Sequence, residues 1–190
     1  MRTNTPRLPP LRDEEMNAEQ EAIMAPFRKL GADFAVSRAF VRHPAALQAF
    51  RVWATHVMSD SNPLRPRERE ILALRTAWRV RSGYEWSRHV LFARRAGLRD
   101  DEIQALKRPI AEGGWTDADA ALIASADALV ADHFVPDDLW GRLAAHFDER
   151  QCMDAIFTVG HFTMLGMFLN TAGVPIDPDV TLDPDLDARG

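Results

Sequence analysis

Along this chain apolar residues return at intervals of three and four, and no stretch alternates apolar and polar positions with the β-branched enrichment of a strand. The pattern predicts an all-α fold with helices at about 14–30, 33–42, 44–58, 66–80, 83–96, 100–107, 117–132, 137–147 and 149–171. Local signals set the boundaries. His43 precedes Pro44 and is pushed out of the α region. Pro66 suits a first helical turn. Gly97 reads as a left-handed C-terminal cap with Asp100 placed to cap the next helix, and Thr116 with Asp119 resembles a capping box. Residues 1–12 predict an N-terminal arm, mobile or laid on a neighbour, residues 13–174 a single domain, and residues 175–190, alternating Asp and Pro, an extended acidic tail.

The stretch SGYEWSRH, residues 82–89, departs from a simple amphipathic pattern. On a helical wheel Glu85 and His89 fall about 40° apart and inside the apolar arc with Phe92, Ala96 and Ala93. Ser87, Arg88, Arg94 and Arg95 take the other side. In the preceding helix Glu70 lies close to Leu74 and Ala77, again on an apolar side. Two carboxylates and an imidazole aimed at a core are costly unless something compensates them. A mutual ion pair at a helix edge, a nearby arginine such as Arg81, or a water-filled catalytic pocket would each do so. A short turn between the two helices predicts a hairpin that brings Glu70 toward His89. Such a cluster moves protons near neutral pH, because imidazole titrates there. It can also ligate a metal, although ExxxH supplies only one imidazole where HExxH sites supply two, so the expectation is no metal and no other cofactor.

Composition narrows the function further. Hydrophobic residues make up 46% and charged residues 27%, as in an ordinary globular protein. A net charge of -5 argues against nucleic acid as partner, and the arginines between Arg65 and Arg99 read as a solvated helical surface. The N-terminus lacks the apolar core of a secretory signal, which predicts a cytoplasmic protein. The most apolar run, AIFTVGHFTMLGMFLN at 155–170, is interrupted by polar residues and falls short of a bilayer span, so it reads as a buried helix and no membrane partner is expected. His161 within it reads chiefly as a structural hydrogen-bonding residue, with a place near the pocket as the alternative. The tryptophans at 53, 78, 115 and 140 read as core, and His56 shares no joint site with the other scattered histidines. Cys152 is the single cysteine, which precludes an internal disulfide.

The segment LRPREREILALRTAWRVRSGYEWSRHVLFARRAGLRDDEI, residues 64–103, resembles the carboxymuconolactone decarboxylase family, within the superfamily that holds the alkyl hydroperoxidase D proteins. Glu70, Tyr84-Glu85-Trp86, His89 and Ala96-Gly97-Leu98 carry the resemblance, which continues more weakly through WTDADAALIASADAL to Val174. It implies an alkyl hydroperoxidase D-like helical bundle with the hairpin at the active site, assembled as a trimer or hexamer. Hydroperoxidase members carry CxxC with a histidine four residues after the second cysteine; here those positions are Ser82 and Glu85, so thiol peroxidase chemistry lacks its thiols. The decarboxylase members imply instead a cofactor-independent lyase or isomerase of aromatic-compound catabolism, acting on a small carboxylated lactone or related enolisable acid. On that resemblance His89 is the proton donor and acceptor, Glu85 and Glu70 orient it and adjust its basicity, Tyr84 and Trp86 line the pocket, and Arg81 holds an anionic substrate. A peroxiredoxin-like activity and a non-catalytic small-molecule-binding role are the alternatives.

Overall fold

In the computed structural model, which describes residue 3 and residues 5–186, every predicted helical segment forms. The helices are α1 (Ala18–Lys29), α2 (Ala35–Phe40), α3 (Pro44–Met58), α4 (Pro66–Arg79), α5 (Gly83–Arg95), α6 (Asp100–Ala105), α7 (Asp117–Asp132), α8 (Asp137–Ala144) and α9 (Glu149–Ala172). The first begins later than periodicity suggests. Asn17 caps it by accepting the Gln20 N–H while Gln20 reaches back to the Asn17 N–H, so residues 13–15 are left as a separate 3-10 turn. Thr116 caps α7 by accepting the Asp119 N–H, but the Asp119 carboxylate turns to Arg67 instead of closing the box. At α6 the cap is Arg99, whose N–H is accepted by Glu102, and Asp100 is the first helical residue.

Helix α4 is the axis of the fold. It packs on α5, α7 and α9, and from Glu68 to Ala77 every residue on it is buried. Leu72, Leu74, Trp86, Leu122, Ile123 and Leu143 form the centre of the core around it, each such side chain contributing roughly 1.5–3 kcal/mol by its removal from water. The charges on α4 survive burial because each has a partner. Arg75 forks onto Asp127 at 2.7 Å through both nitrogens and also donates to the Leu106 and Arg108 carbonyls. Arg69 donates to the carbonyls of Ser59 and Leu64, both at 3.0 Å. A second, smaller cluster of Leu11, Met24, Val41 and Leu47 holds α1, α2 and α3 together.

Helix α9 is long and apolar enough to cross a membrane by length and composition, because it extends beyond the run at 155–170. Half of its most apolar window is buried inside the protein, where it packs on α4 and α7. Trp53 and Trp140, expected in the core, are instead partly exposed, at 37% and 40%.

Both chain ends lie against the helices. The Arg7 and Leu8 N–H groups donate to the Ala172 carbonyl at 2.7 and 3.1 Å, so the arm rests on its own α9; residues 1, 2 and 4 of it, and 187–190 of the tail, lie outside the described residues. The acidic tail runs along α5 and reverses one expectation. Ser87 and Arg88, assigned to a solvated side, are only 5% and 6% exposed. The Ser87 hydroxyl donates to the Thr181 carbonyl, Arg88 binds Asp177 and Asp179, and Leu186 enters the core. The carboxylate-rich segment thus covers Ser87 and Arg88 on that side of α5, whereas Arg94 and Arg95 stay exposed.

Candidate active site

The turn between α4 and α5 is three residues long, Val80 to Ser82, with Arg81 in the left-handed region at φ 55°. It folds the two helices into the predicted hairpin. Glu70, on α4, and His89, on α5, meet across it: the His89 Nδ1–H donates to Glu70 Oε2 at 2.7 Å, with both side chains at least nine-tenths buried. A carboxylate only accepts, so the contact places a proton on Nδ1 and leaves Nε2, on the far edge of the ring, as the nitrogen free to exchange one. Phe92 and Phe162 pack edge-on against the imidazole at 5.2 and 4.6 Å and restrict its rotation.

Glu85 is not hydrogen-bonded to His89, as an i,i+4 pair would be. It is 2% exposed, and neither carboxyl oxygen has a hydrogen-bond partner of good geometry among the described residues. Burial pushes its carboxyl up to about 8, against a smaller opposing pull from the Ser82 hydroxyl. At neutral pH the group therefore carries its proton. It stands against Gly166 of α9, where an added Cβ would come within 2.8 Å of Glu85 Oε2.

Glu70, Glu85, His89 and Tyr84 all line one cavity of about 610 Å³, a size typical of small-molecule sites. Two more residues join them: His161, for which a place near the pocket was the alternative reading, and Arg88, expected on a solvated side. His161 of α9 lines the cavity, 4% exposed, stacked on Phe50 at 5.0 Å and with Nδ1 unpartnered among the described residues. Burial, with a smaller contribution from the neighbouring His89, lowers it to about 4, so it is neutral at pH 7. Its signal was in the sequence: it is the one titratable side chain inside the 155–170 run. Arg88 also lines the cavity, with its guanidinium 4.3 Å over the Phe34 ring and bonded to Asp177 at 2.8 Å and Asp179 at 2.6 Å.

The remaining expected positions fall away from this space or are differently used. Trp86 is in the main core, tilted against Trp78 at 5.8 Å, because its place on the wheel faces α4 and not the cavity. Arg81 is exposed, since a left-handed turn residue is held outside the hairpin. Tyr84 contributes its ring to the wall, but its hydroxyl is committed, donating to Asp177 at 2.6 Å and accepting the Val36 N–H at 3.2 Å. Cys152 is buried in the main core, outside the cavity lining, and burial raises its thiol. Among the described residues no three His, Cys, Asp or Glu side chains are grouped to hold a metal. His56, read as isolated, is bonded to Asp154 at 2.7 Å, a link between α3 and α9.

The far wall comes from outside the hairpin. Phe27, Leu30, Phe34 and Val36, from α1 and α2 with the loop between them, and Phe50, Ala54 and Met58 of α3 close an apolar space over the polar groups. The chemistry available is thus a carboxylate-oriented imidazole, a protonated carboxyl and a neutral second imidazole in a largely apolar recess.

Residues 44–128 match the carboxymuconolactone decarboxylase family, a stretch that includes the whole α4–α5 hairpin. No curated protein matches the chain. Among solved structures, an uncharacterised peroxidase-related protein with an alkyl hydroperoxidase D core from Ralstonia eutropha JMP134 superposes with a TM-score of 0.79 at 17% identity, covering 93% of this chain and 95% of that one. An uncharacterised peroxidase-related protein from Silicibacter sp. TM1040 gives 0.75 at 18% identity over 94% of this chain and 92% of that one. The debrominase Bmp8, held with 2,3,4-tribromopyrrole, gives 0.75 at 13% identity over 93% and 94%. At these identities the likeness is one of fold. The matched stretch, with the whole hairpin in it, is thus similar to the carboxymuconolactone decarboxylase family, and the bundle has the alkyl hydroperoxidase D-like fold without the CxxC pair.

Proposed function

We propose that the protein is a cofactor-independent acid–base enzyme, a lyase or isomerase acting on an enolisable carbonyl compound such as a small carboxylated lactone. One observation carries the reading: an imidazole held by a carboxylate and a second, unpartnered buried carboxyl line the same cavity. His89, oriented by Glu70, serves as the base through Nε2, and Glu85, pushed up by burial, serves as the acid. In an isomerisation His89 removes the proton beside the carbonyl and Glu85 returns one at another carbon, after which His89 gives its proton to water and Glu85 takes one back. In a decarboxylation the carbon–carbon bond breaks, carbon dioxide leaves, its electron pair passes into the carbonyl as an enolate, and Glu85 protonates the carbon. Glu85 is then reprotonated from water. Glu70 is a positioning residue in both.

A thiol-dependent peroxidase or dehalogenating cycle is disfavoured by the chain itself, whose only cysteine is the core residue Cys152. The reading also makes the protein a cytoplasmic homo-oligomer, trimer or hexamer, supported by the exposure of Met164 and Met167 on α9. The test is turnover of a panel of carboxylated γ-lactones and β-oxo acids, followed by carbon dioxide release and by solvent-deuterium incorporation. Wild type should react with at least one, and His89→Ala should lose on the order of 100-fold or more in kcat while keeping its helical content. A fully active His89→Ala would remove the proposal, and equal ligand binding by both proteins without product in either would favour the binding role.

A further inference from the structure

The acid–base groups of the cavity lie on the side formed by the hairpin and α9. Glu70, Glu85, His89 and His161 gather there, and the opposite walls are phenylalanine, leucine and proline side chains from α1 to α3. At the polar end, both Glu85 carboxyl oxygens and His161 Nδ1 are buried without partners among the described residues. Native proteins leave few such groups, since each costs about 1–3 kcal/mol, so unpaired ones lining a cavity point to a ligand atom that completes them. The protonated Glu85 is a donor, and its complement is an acceptor oxygen.

Charge sorts the rest of the ligand. Two cations line the cavity, Arg88 and Arg51. Arg88 is neutralised by Asp177 and Asp179, and Glu70 is itself a carboxylate, so a second carboxylate has no unpaired cation at the polar end. Arg51 differs. It is exposed, and its side chain makes no ion pair or hydrogen bond among the described residues. On α3 it shares one stripe with Ala54, Thr55 and Met58, at i, i+3, i+4 and i+7, and all four line the cavity. The residue before it, Phe50, stacks on His161, so the turn of α3 that carries Arg51 also reaches the polar end.

We infer that the cavity selects an elongated amphipathic oxo acid, with its carbonyl oxygen received by Glu85 beside His89, an apolar or aromatic body along the phenylalanine walls, and a remote carboxylate held at the rim by Arg51. For the end that reacts this rests on the acid–base reading in its isomerase form, since a departing carboxylate would sit beside Glu70, and for the end that binds it rests on nothing in that reading. A compact polyanion is the poorer fit, because its second charge would sit beside Glu70.

The test is calorimetric binding of four probes: 3-benzoylpropionate, its amide, 4-phenylbutyrate and cis,cis-muconate. Wild type should bind 3-benzoylpropionate about tenfold more tightly than the amide, the worth of one charge-assisted contact, and more tightly than 4-phenylbutyrate, which lacks the ketone. Arg51→Gln should close the gap between acid and amide without lowering Tm, because the residue is exposed. The inference falls if acid and amide bind alike to wild type, if Arg51→Gln keeps the gap, if muconate binds best, or if 3-benzoylpropionate shows no binding at millimolar concentration. His89→Ala separates the two proposals: the acid-to-amide ratio should persist in it. A ratio that persists while no oxo acid is turned over by wild type would leave this selectivity standing and the enzymatic reading lost.

Discussion

Glu85 shows how much one residue's surroundings can add to its identity. Its folded carboxyl titrates near 8 against an ordinary 4.5, and burial is the larger cause. Between those values the unfolded chain has released the proton and the folded one has kept it, so stability falls as pH rises from about 4.5 to about 8 and is flat above. Glu85→Gln cannot ionise and should remove that slope, with a Tm about 3 °C or more above wild type at pH 8.5 and a difference that narrows toward pH 4.5 in thermal scans. Because the protonated form is the proposed acid, wild-type turnover should decline above about pH 8, and Glu85→Gln should have low activity without that limb. His161 acts in the other direction. Its folded value near 4 lies below the ordinary 6.5, so it withdraws stability as pH falls through that window. The helical wheel located Glu85 on the apolar side, but the absence of a partner there could be read only from the packed neighbours.

At the scale of elements, the hairpin was legible and its third wall was not. Glu70 and His89 meet because two amphipathic helices joined by a short turn must face their apolar sides together, and both residues lie on those sides. Helix α9 carries glycines at 160 and 166, alike in sequence and unlike in place. Beside Gly166 an added Cβ would lie 2.8 Å from Glu85 Oε2 and 2.8 Å from Val80 Cγ2, whereas Gly160 faces open space. Gly160→Ala should therefore gain up to about 1 kcal/mol from helix propensity alone. In Gly166→Ala the same gain is opposed by overpacking of about 1–3 kcal/mol, leaving it no more stable than wild type by urea unfolding. By displacing Glu85 it should also lose turnover out of proportion to its stability.

The whole molecule joins what the family match leaves outside. Residues 26–36 supply apolar wall, and the C-terminal segment supplies Asp177, which accepts from the Tyr84 hydroxyl, the Arg88 guanidinium and the Ala35 N–H at 2.6, 2.8 and 2.7 Å. One carboxylate thereby fastens α5, the start of α2 and the tail around the cavity. Asp177→Asn weakens the ion pair with a buried arginine, and it should destabilise the fold by roughly 3 kcal/mol in urea unfolding. Asp179→Asn, at an exposed carboxylate, should cost less than about 1 kcal/mol. The tail's acidity was plain in the sequence, but its partner was not, since nothing local links residue 177 to residue 88.

By itself the amino-acid sequence determined the helices, their breaks, the hairpin and the side of each helix on which Glu70, Glu85 and His89 stand. These follow from backbone sterics and a period of 3.6 residues, which act over a few positions. Only the tertiary structure decided what covers each side: that Arg88 and Ser87 are buried under the tail, that Trp86 faces the core, and that His161, Phe50 and Arg51 enter the cavity. Periodicity gives a side chain's angle around its own axis, whereas its partner is chosen by packing between segments far apart in the chain.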